Sequence, residues 1–106
     1  RAACAELDAA CSVPWALLSA GVSYAVFARQ AQIACSAGAS GVIVGRAVWA
    51  EAVTLQGAGR QQFIETTAVE RMVTLRDICA AEAVPWTQRV TMGDLPVHWY
   101  ETYGED

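Results

Sequence analysis

Ser40-Gly41-Val42-Ile43-Val44-Gly45-Arg46-Ala47-Val48-Trp49 is the stretch on which the folding of this chain turns. Three apolar residues in a row between two glycines are too few for a self-burying helix, and their continuity, without alternation, suits a parallel strand covered on both faces. An earlier run has the same form: Pro14-Trp15-Ala16-Leu17-Leu18-Ser19-Ala20-Gly21-Val22. Each empties into a turn of small residues. Roughly 27 residues separate the two starts, about the length of a strand, a crossover helix and a return.

The segments around these runs read as helices. Residues 2–10 form the end of an alanine-rich helix, stopped before Pro14, and residues 15–18 the first strand. Ser23 stands at an N-cap position, and Tyr24, Phe27, Ala31, Ala34 and Cys35 fall on one face of a helix over 23–37, with Arg29, Gln30, Gln32 and Ser36 opposite. Gly38 stands where a left-handed residue is wanted after a helix. The second strand covers 41–44, and a short helix over 46–53 follows directly. Gln56-Gly57-Ala58-Gly59 reads as a flexible break, with Phe63 and Ile64 in a helical turn after it. Thr67 and Glu70 fit a capping box opening a helix over 67–83, with Ala68, Met72, Leu75 and Cys79 as its apolar stripe. The aromatic tail over 86–106, with Trp86, Trp99, Tyr100 and Tyr103, reads as an ordered wrap or subunit contact.

Composition narrows the function. The chain has 106 residues, 55% of them hydrophobic, and a mean hydropathy of +0.28, so it is core-rich and at most one small domain. A net charge of −4 and an isoelectric point near 4.8 argue against a nucleic-acid or anionic-membrane surface. No apolar run approaches the ~18 residues a membrane span needs. Cys4, Cys11, Cys35 and Cys79 have no C-x-x-C spacing and read as free thiols in a reduced, cytoplasmic compartment; Cys4, Leu7 and Cys11 share a helix face. His98 is the single histidine, so no metal site is expected. All seven basic residues are arginines, and a chain without lysine cannot supply a Schiff-base amine.

Two parallel strands with helices between and after them are incomplete, because such strands need edge neighbours and covering layers. The expected fold class is therefore α/β, the last two strand–helix units and tail of an eight-stranded barrel of about 250 residues, making residues 1–106 the C-terminal part of one barrel domain. In such barrels the loops after the last two strands, with the start of a short helix, often hold a phosphate. Here Ser19, Ala20 and Gly21 offer bare amides and a hydroxyl. Gly45 and Arg46 open the short helix, whose free amides and guanidinium suit a phosphate or sulfonate. Glycines permitting tight turns, or Arg46 pairing with a nearby acid, is the competing reading; two such turns one unit apart weaken it. Trp49 reads as packing, Trp15 as an anchor at the far end, and Asp8, Glu51 and Asp77 as isolated acids without a catalytic role. Glu65 and Glu70 read as surface or capping residues.

The two runs quoted above, with Cys35-Ser36-Ala37-Gly38-Ala39 leading into the second and Phe63-Ile64-Glu65-Thr66-Thr67 beyond it, resemble the tagatose 1,6-bisphosphate aldolase family and share the pattern of the related sulfofructose 1-phosphate aldolases. The likeness runs from about residue 13 to 86, about the last third of such an enzyme. It implies a metal-independent class I aldolase barrel, without cofactor, that cleaves a ketose 1,6-bisphosphate to dihydroxyacetone phosphate and glyceraldehyde 3-phosphate. It implies that Ser19, Gly21, Gly45 and Arg46 hold a phosphate or sulfonate of a phosphorylated sugar, while the lysine and acid–base glutamate lie on earlier strands. No catalytic residue is then expected here, and a homo-oligomer is expected of the full-length protein. The alternatives are a sulfofructose 1-phosphate aldolase and a non-catalytic anion-binding barrel fragment.

Overall fold

A computed structural model describes residues 1–91 together with Gly93, His98 and Glu101. Helix α1 (Ala2–Ala10) leads to strand β1 (Ala16–Leu18), helix α2 (Tyr24–Cys35) and strand β2 (Gly41–Ile43). The one-turn helix α3 (Arg46–Trp49) tightens into a 3-10 turn at Ala50–Val53, so the short helix changes character halfway. Helix α4 (Gly57–Phe63) passes through a wide π turn at Ile64–Ala68 into helix α5 (Val69–Glu82), and a 3-10 turn at Trp86–Gln88 follows. Most of the aromatic tail, including Trp99, Tyr100 and Tyr103, lies outside the described residues.

The two strands pair in parallel, Ala16 with Gly41, Leu17 with Val42 and Leu18 with Ile43. The ladder is bracketed by Ser40 N–H donating to Trp15 O at 2.8 Å and Ser19 N–H donating to Ile43 O at 3.1 Å. Strand residues alternate between faces. On one face Leu17 and Val42 pack against a core of Phe27, Ala31, Ala47, Val48, Ala68 and Leu75, gathered from α2, α3, the π turn and α5. On the other, Leu18 and Ile43 are 61% and 58% exposed. Helices cover one side of this pair, and the second side is bare.

Helix α2 buries Phe27, Ala31, Ala34 and Cys35 and exposes Arg29, Gln30, Gln32 and Ser36, because its apolar residues recur at helical spacing. It ends in a Schellman motif: Gly38 N–H bonds Cys35 O and Ala39 N–H bonds Ala34 O. Gly38 takes φ +115°, and a side-chain carbon there would collide with the Asp8 carboxylate. The Cys35 and Cys79 sulfurs lie 4.0 Å apart between α2 and α5 as free thiols, and burial above all pushes Cys35 up to about 12. Beyond α2, Ser36 Oγ bonds both Gln32 O and the Glu82 carboxylate, tying the helix ends together.

The C-terminal helices depart from expectation. Residues 57–59 are helical instead of a break, because Arg60 Nε donates to Ala52 O at 3.0 Å and Leu55 O at 2.8 Å, tying the segment to the preceding 3-10 turn. Thr67 makes no cap: the helix already runs through it, so the amides it was to satisfy lie in a helix interior. The π turn sets Phe63 and Ala68, five residues apart, on the same side against the core, which regular α spacing would not do. Met72 is exposed, because at that level of α5 Arg71 is the residue that turns inward toward α3. In α1 nothing is buried, and Leu7 of the expected apolar face is half-exposed.

Asp8 is not isolated. Its Oδ1 accepts from Trp15 Nε1 at 2.8 Å and Arg89 Nη2 at 2.6 Å, joining α1, the start of β1 and the segment after α5 at the amino end of the strands. The hydrogen bond from Trp15, then that from Arg89, hold its carboxyl below its ordinary value of 3.8. A depressed carboxylate stabilises the fold above its unfolded pKa and loses that contribution as pH falls through the folded value. Asp8→Asn should therefore lower the melting temperature of the full-length protein at neutral pH. The gap from the unsubstituted protein should close as the pH drops below the ordinary carboxylate range. Parallel melts across pH check this; a gap independent of pH would remove the charge from the account.

Candidate anion cleft at the strand ends

Because β1 and β2 stop in register, the turns after them emerge side by side. After β1, Ala20 and Gly21 take φ +50° and +81°, and Val22 N–H bonds back to Ser19 O at 3.2 Å. Two successive positive φ values closed by that bond are the signature of a type I′ turn. Ala20 is the one non-glycine residue with positive φ among those described, a conformation costing roughly 1–2 kcal/mol for an L-residue. Ser19 is only 5% exposed, and its hydroxyl has no hydrogen-bond partner among the described residues. After β2, Gly45 occupies the N-cap of α3, and its carbonyl accepts from Val48 N–H at 2.8 Å.

The five residues expected at the site come together. Ser19, Ala20, Gly21, Gly45 and Arg46 line one cleft of about 320 Å³, floored by Leu18 and Ile43 from the bare sheet face. The Arg46 guanidinium crosses from the second turn to the first: Nη2 lies 3.0 Å and Cζ 3.2 Å from where a Gly21 side-chain carbon would stand. Arg46 is exposed, and among the described residues no acid pairs with it. It is the single charged residue among the described residues lining the cleft. The first amides of a helix such as α3 have no intrahelical acceptors.

One residue here was read differently from sequence. Trp49 also lines the cleft, 45% exposed, with Nε1 3.7 Å from the side-chain position at Gly45. The signal was its place one turn after Arg46 on the same short helix. Glu51, two residues further on, is not isolated: Arg71 donates to both its oxygens at 2.9 and 2.7 Å. Those bonds, with the residue's own backbone amide, hold the carboxyl down to about 2. Asp77 pairs with Arg76 on the surface. Among the described residues no group of three acids, histidines or cysteines is arranged to hold a metal.

The parallel β–α–β unit thus carries two small-residue turns at its strand ends, with one arginine reaching from the second turn to the first. No protein-family model matches the chain. It is 34% identical over 94 residues to tagatose 1,6-diphosphate aldolase 2 of Streptococcus mutans serotype c, covering 83% of this chain and 29% of that protein. It is 35% identical over 89 residues to tagatose 1,6-diphosphate aldolase of Lactococcus lactis subsp. lactis, covering 78% of this chain and 27% of the relative. The Staphylococcus aureus protein of the same name is 36% identical over 90 residues, covering 79% and 28%. The chain is similar to these aldolases over about four fifths of its own length, and it spans less than a third of theirs. No described helix is long and apolar enough to cross a membrane.

The turn geometry makes a contrasting pair of expectations. Gly21→Ala forces a side-chain carbon into φ +81° and against the Arg46 guanidinium, and should cost about 1–2 kcal/mol while swinging Arg46 away. Ala20→Gly relieves the same kind of strain one residue earlier and should not lower stability. Chemical denaturation of both variants checks this, and equal losses at the two positions would contradict the turn assignment.

Proposed function

We propose that the chain is the phosphate-holding, C-terminal portion of a class I aldolase barrel. The barrel cleaves a ketose 1,6-bisphosphate, such as tagatose 1,6-bisphosphate, to dihydroxyacetone phosphate and glyceraldehyde 3-phosphate. The observation that carries the reading is the Arg46 guanidinium, paired with no acid among the described residues and 3.0 Å from the Gly21 side-chain position, spanning the two turns at the carboxyl ends of adjacent parallel strands. Guanidinium and backbone amides together favour an anion with several oxygens in a fixed plane and fork. The Ser19 hydroxyl adds one more donor at the cleft.

Division of labour follows from composition. Without lysine, these 106 residues cannot form the Schiff base, so in this reading the amine and the acid–base carboxylate come from strands outside them. The bare face of Leu18 and Ile43 supports that view: alternate strand residues would point into the barrel interior, while Leu17 and Val42 meet the outer helices. The similarity to those aldolases supports the substrate class.

Three results test the proposal. Arg46→Ala in the full-length protein should raise the Michaelis constant about tenfold to a hundredfold, since a charge-assisted bond contributes roughly 1.5–3 kcal/mol. Borohydride with dihydroxyacetone phosphate should trap a covalent adduct on the full-length protein, on a lysine outside these residues; no adduct on a folded enzyme would remove the class I assignment. The 106 residues expressed alone should melt broadly with weak near-ultraviolet circular dichroism, because one sheet face and both strand edges are left uncovered. A sharp cooperative transition would contradict the barrel-segment reading.

A further inference from the structure

Arg71 bonds the short helix that begins at Arg46. It projects from α5, 17% exposed, and its Nη1 donates to Val48 O at 2.9 Å and Ala47 O at 3.4 Å. The same nitrogen and Nη2 grip both Glu51 oxygens. Its Cζ lies 4.9 Å from the ring centre of Tyr24 and 5.5 Å from that of Phe63, so the guanidinium is held between two aromatic faces. One cation thus touches the first residue of α2, the carbonyls of α3, the 3-10 turn after it, and the end of α4.

Arg46 is the first residue of α3, whose single turn is too short to recover the cost of helix nucleation by itself. Its carbonyls at Ala47 and Val48 need donors that a continuing α-helix would have provided, and Arg71 provides them. Tyr24 begins α2 three residues after Gly21, so the opposite lip of the cleft rests on the same guanidinium. Lysine could keep the charge at position 71 but not the fork that meets carbonyls and carboxylate together, nor the planar stacking between rings.

We infer that Arg71, clamped to Glu51, is a positioning residue of the anion cleft: it fixes the one-turn helix that aims Arg46 across Gly21. The inference rests on the reading of the cleft as a phosphate site. Binding of inorganic phosphate to the full-length protein, followed by calorimetry or competition with substrate, tests it in a double-mutant cycle of Arg71→Lys with Arg46→Ala. Arg71→Lys should weaken phosphate about tenfold when Arg46 is present and less than about twofold when Arg46 is already alanine, as expected of groups that act through one another. Far-ultraviolet circular dichroism should be unchanged. Should the lysine variant fail to fold, Glu51→Gln replaces it in the cycle with the same expected pattern.

An undiminished affinity in Arg71→Lys overturns the inference, as does a loss that persists in full beside Arg46→Ala, which would mark general destabilisation. Those results leave the phosphate reading standing if Arg46→Ala alone weakens binding. If Arg46→Ala alone changes nothing, the phosphate reading falls and the inference falls with it.

Discussion

Everything at the cleft depends on the register of two short parallel strands. Pairing Leu18 with Ile43 ends both strands at one level, so the turns that follow are neighbours. A slip of one residue would move Leu17 and Val42 out of the core and Leu18 and Ile43 into it, since side chains alternate. The helices prevent that slip. Phe27, Ala31 and Leu75, all fully buried or nearly so, belong to a core against which, of the paired strand residues, Leu17 and Val42 pack. Register is thus fixed by burial on one face alone, and the opposite face remains free to be shaped by what it must contain.

Arginine does several distinct jobs in a chain that has no lysine. Arg60 closes the carbonyl end of the 3-10 turn, Arg89 meets Asp8 at the amino end of the strands, and Arg71 braces α3. Each finds carbonyl or carboxylate oxygens that suit a forked, planar donor. Arg46 has the same chemistry but no such oxygens bonded to it among the described residues. Under the proposed function, a cation of this kind over a backbone turn, with no acid among the described residues lining its cleft, is completed by an anion from outside. The two ends of the strands are thereby differentiated: one is locked by Asp8, Trp15 and Arg89, the other is open.

The parts legible in the sequence were those encoded locally. Continuous apolar runs, the helical spacing of Phe27, Ala31, Ala34 and Cys35, and the position of Gly38 each express a constraint that acts within a few residues. The five cleft residues were legible for the same reason, since strand, turn and helix start follow one another along the chain. What was missed depends on distant partners. Asp8 and Arg89 are 81 positions apart and Glu51 and Arg71 20, and no periodicity ties them. Thr67 and Glu70 had the right local pattern for a cap, yet packing of Phe63 and Ala68 carried the helix through them. The glycines at 57 and 59 suggested a break by propensity, and the tether from Arg60 overrode it.

The cleft also explains why binding and bond cleavage can reside in different stretches of one chain under the proposed function. Holding a phosphate requires fixed donors, and these come from backbone turns and a braced arginine that the last strands supply locally. Forming a Schiff base requires an amine of lowered pKa in a desolvated interior, which no residue of this chain can provide. The apolar floor of Leu18 and Ile43 leads from the anion site toward the uncovered sheet face. In the proposed barrel that direction is the interior, where an amine on a preceding strand would meet the carbonyl carbon of a substrate already anchored by its phosphate. Anchoring a remote group in this way converts binding energy into alignment of the reacting carbon, so rigidity at Arg46 matters to chemistry that takes place elsewhere. The same logic explains why Arg71, which need not touch substrate, is bonded at so many points: a loosely held Arg46 would still attract phosphate but would no longer fix where the sugar lies.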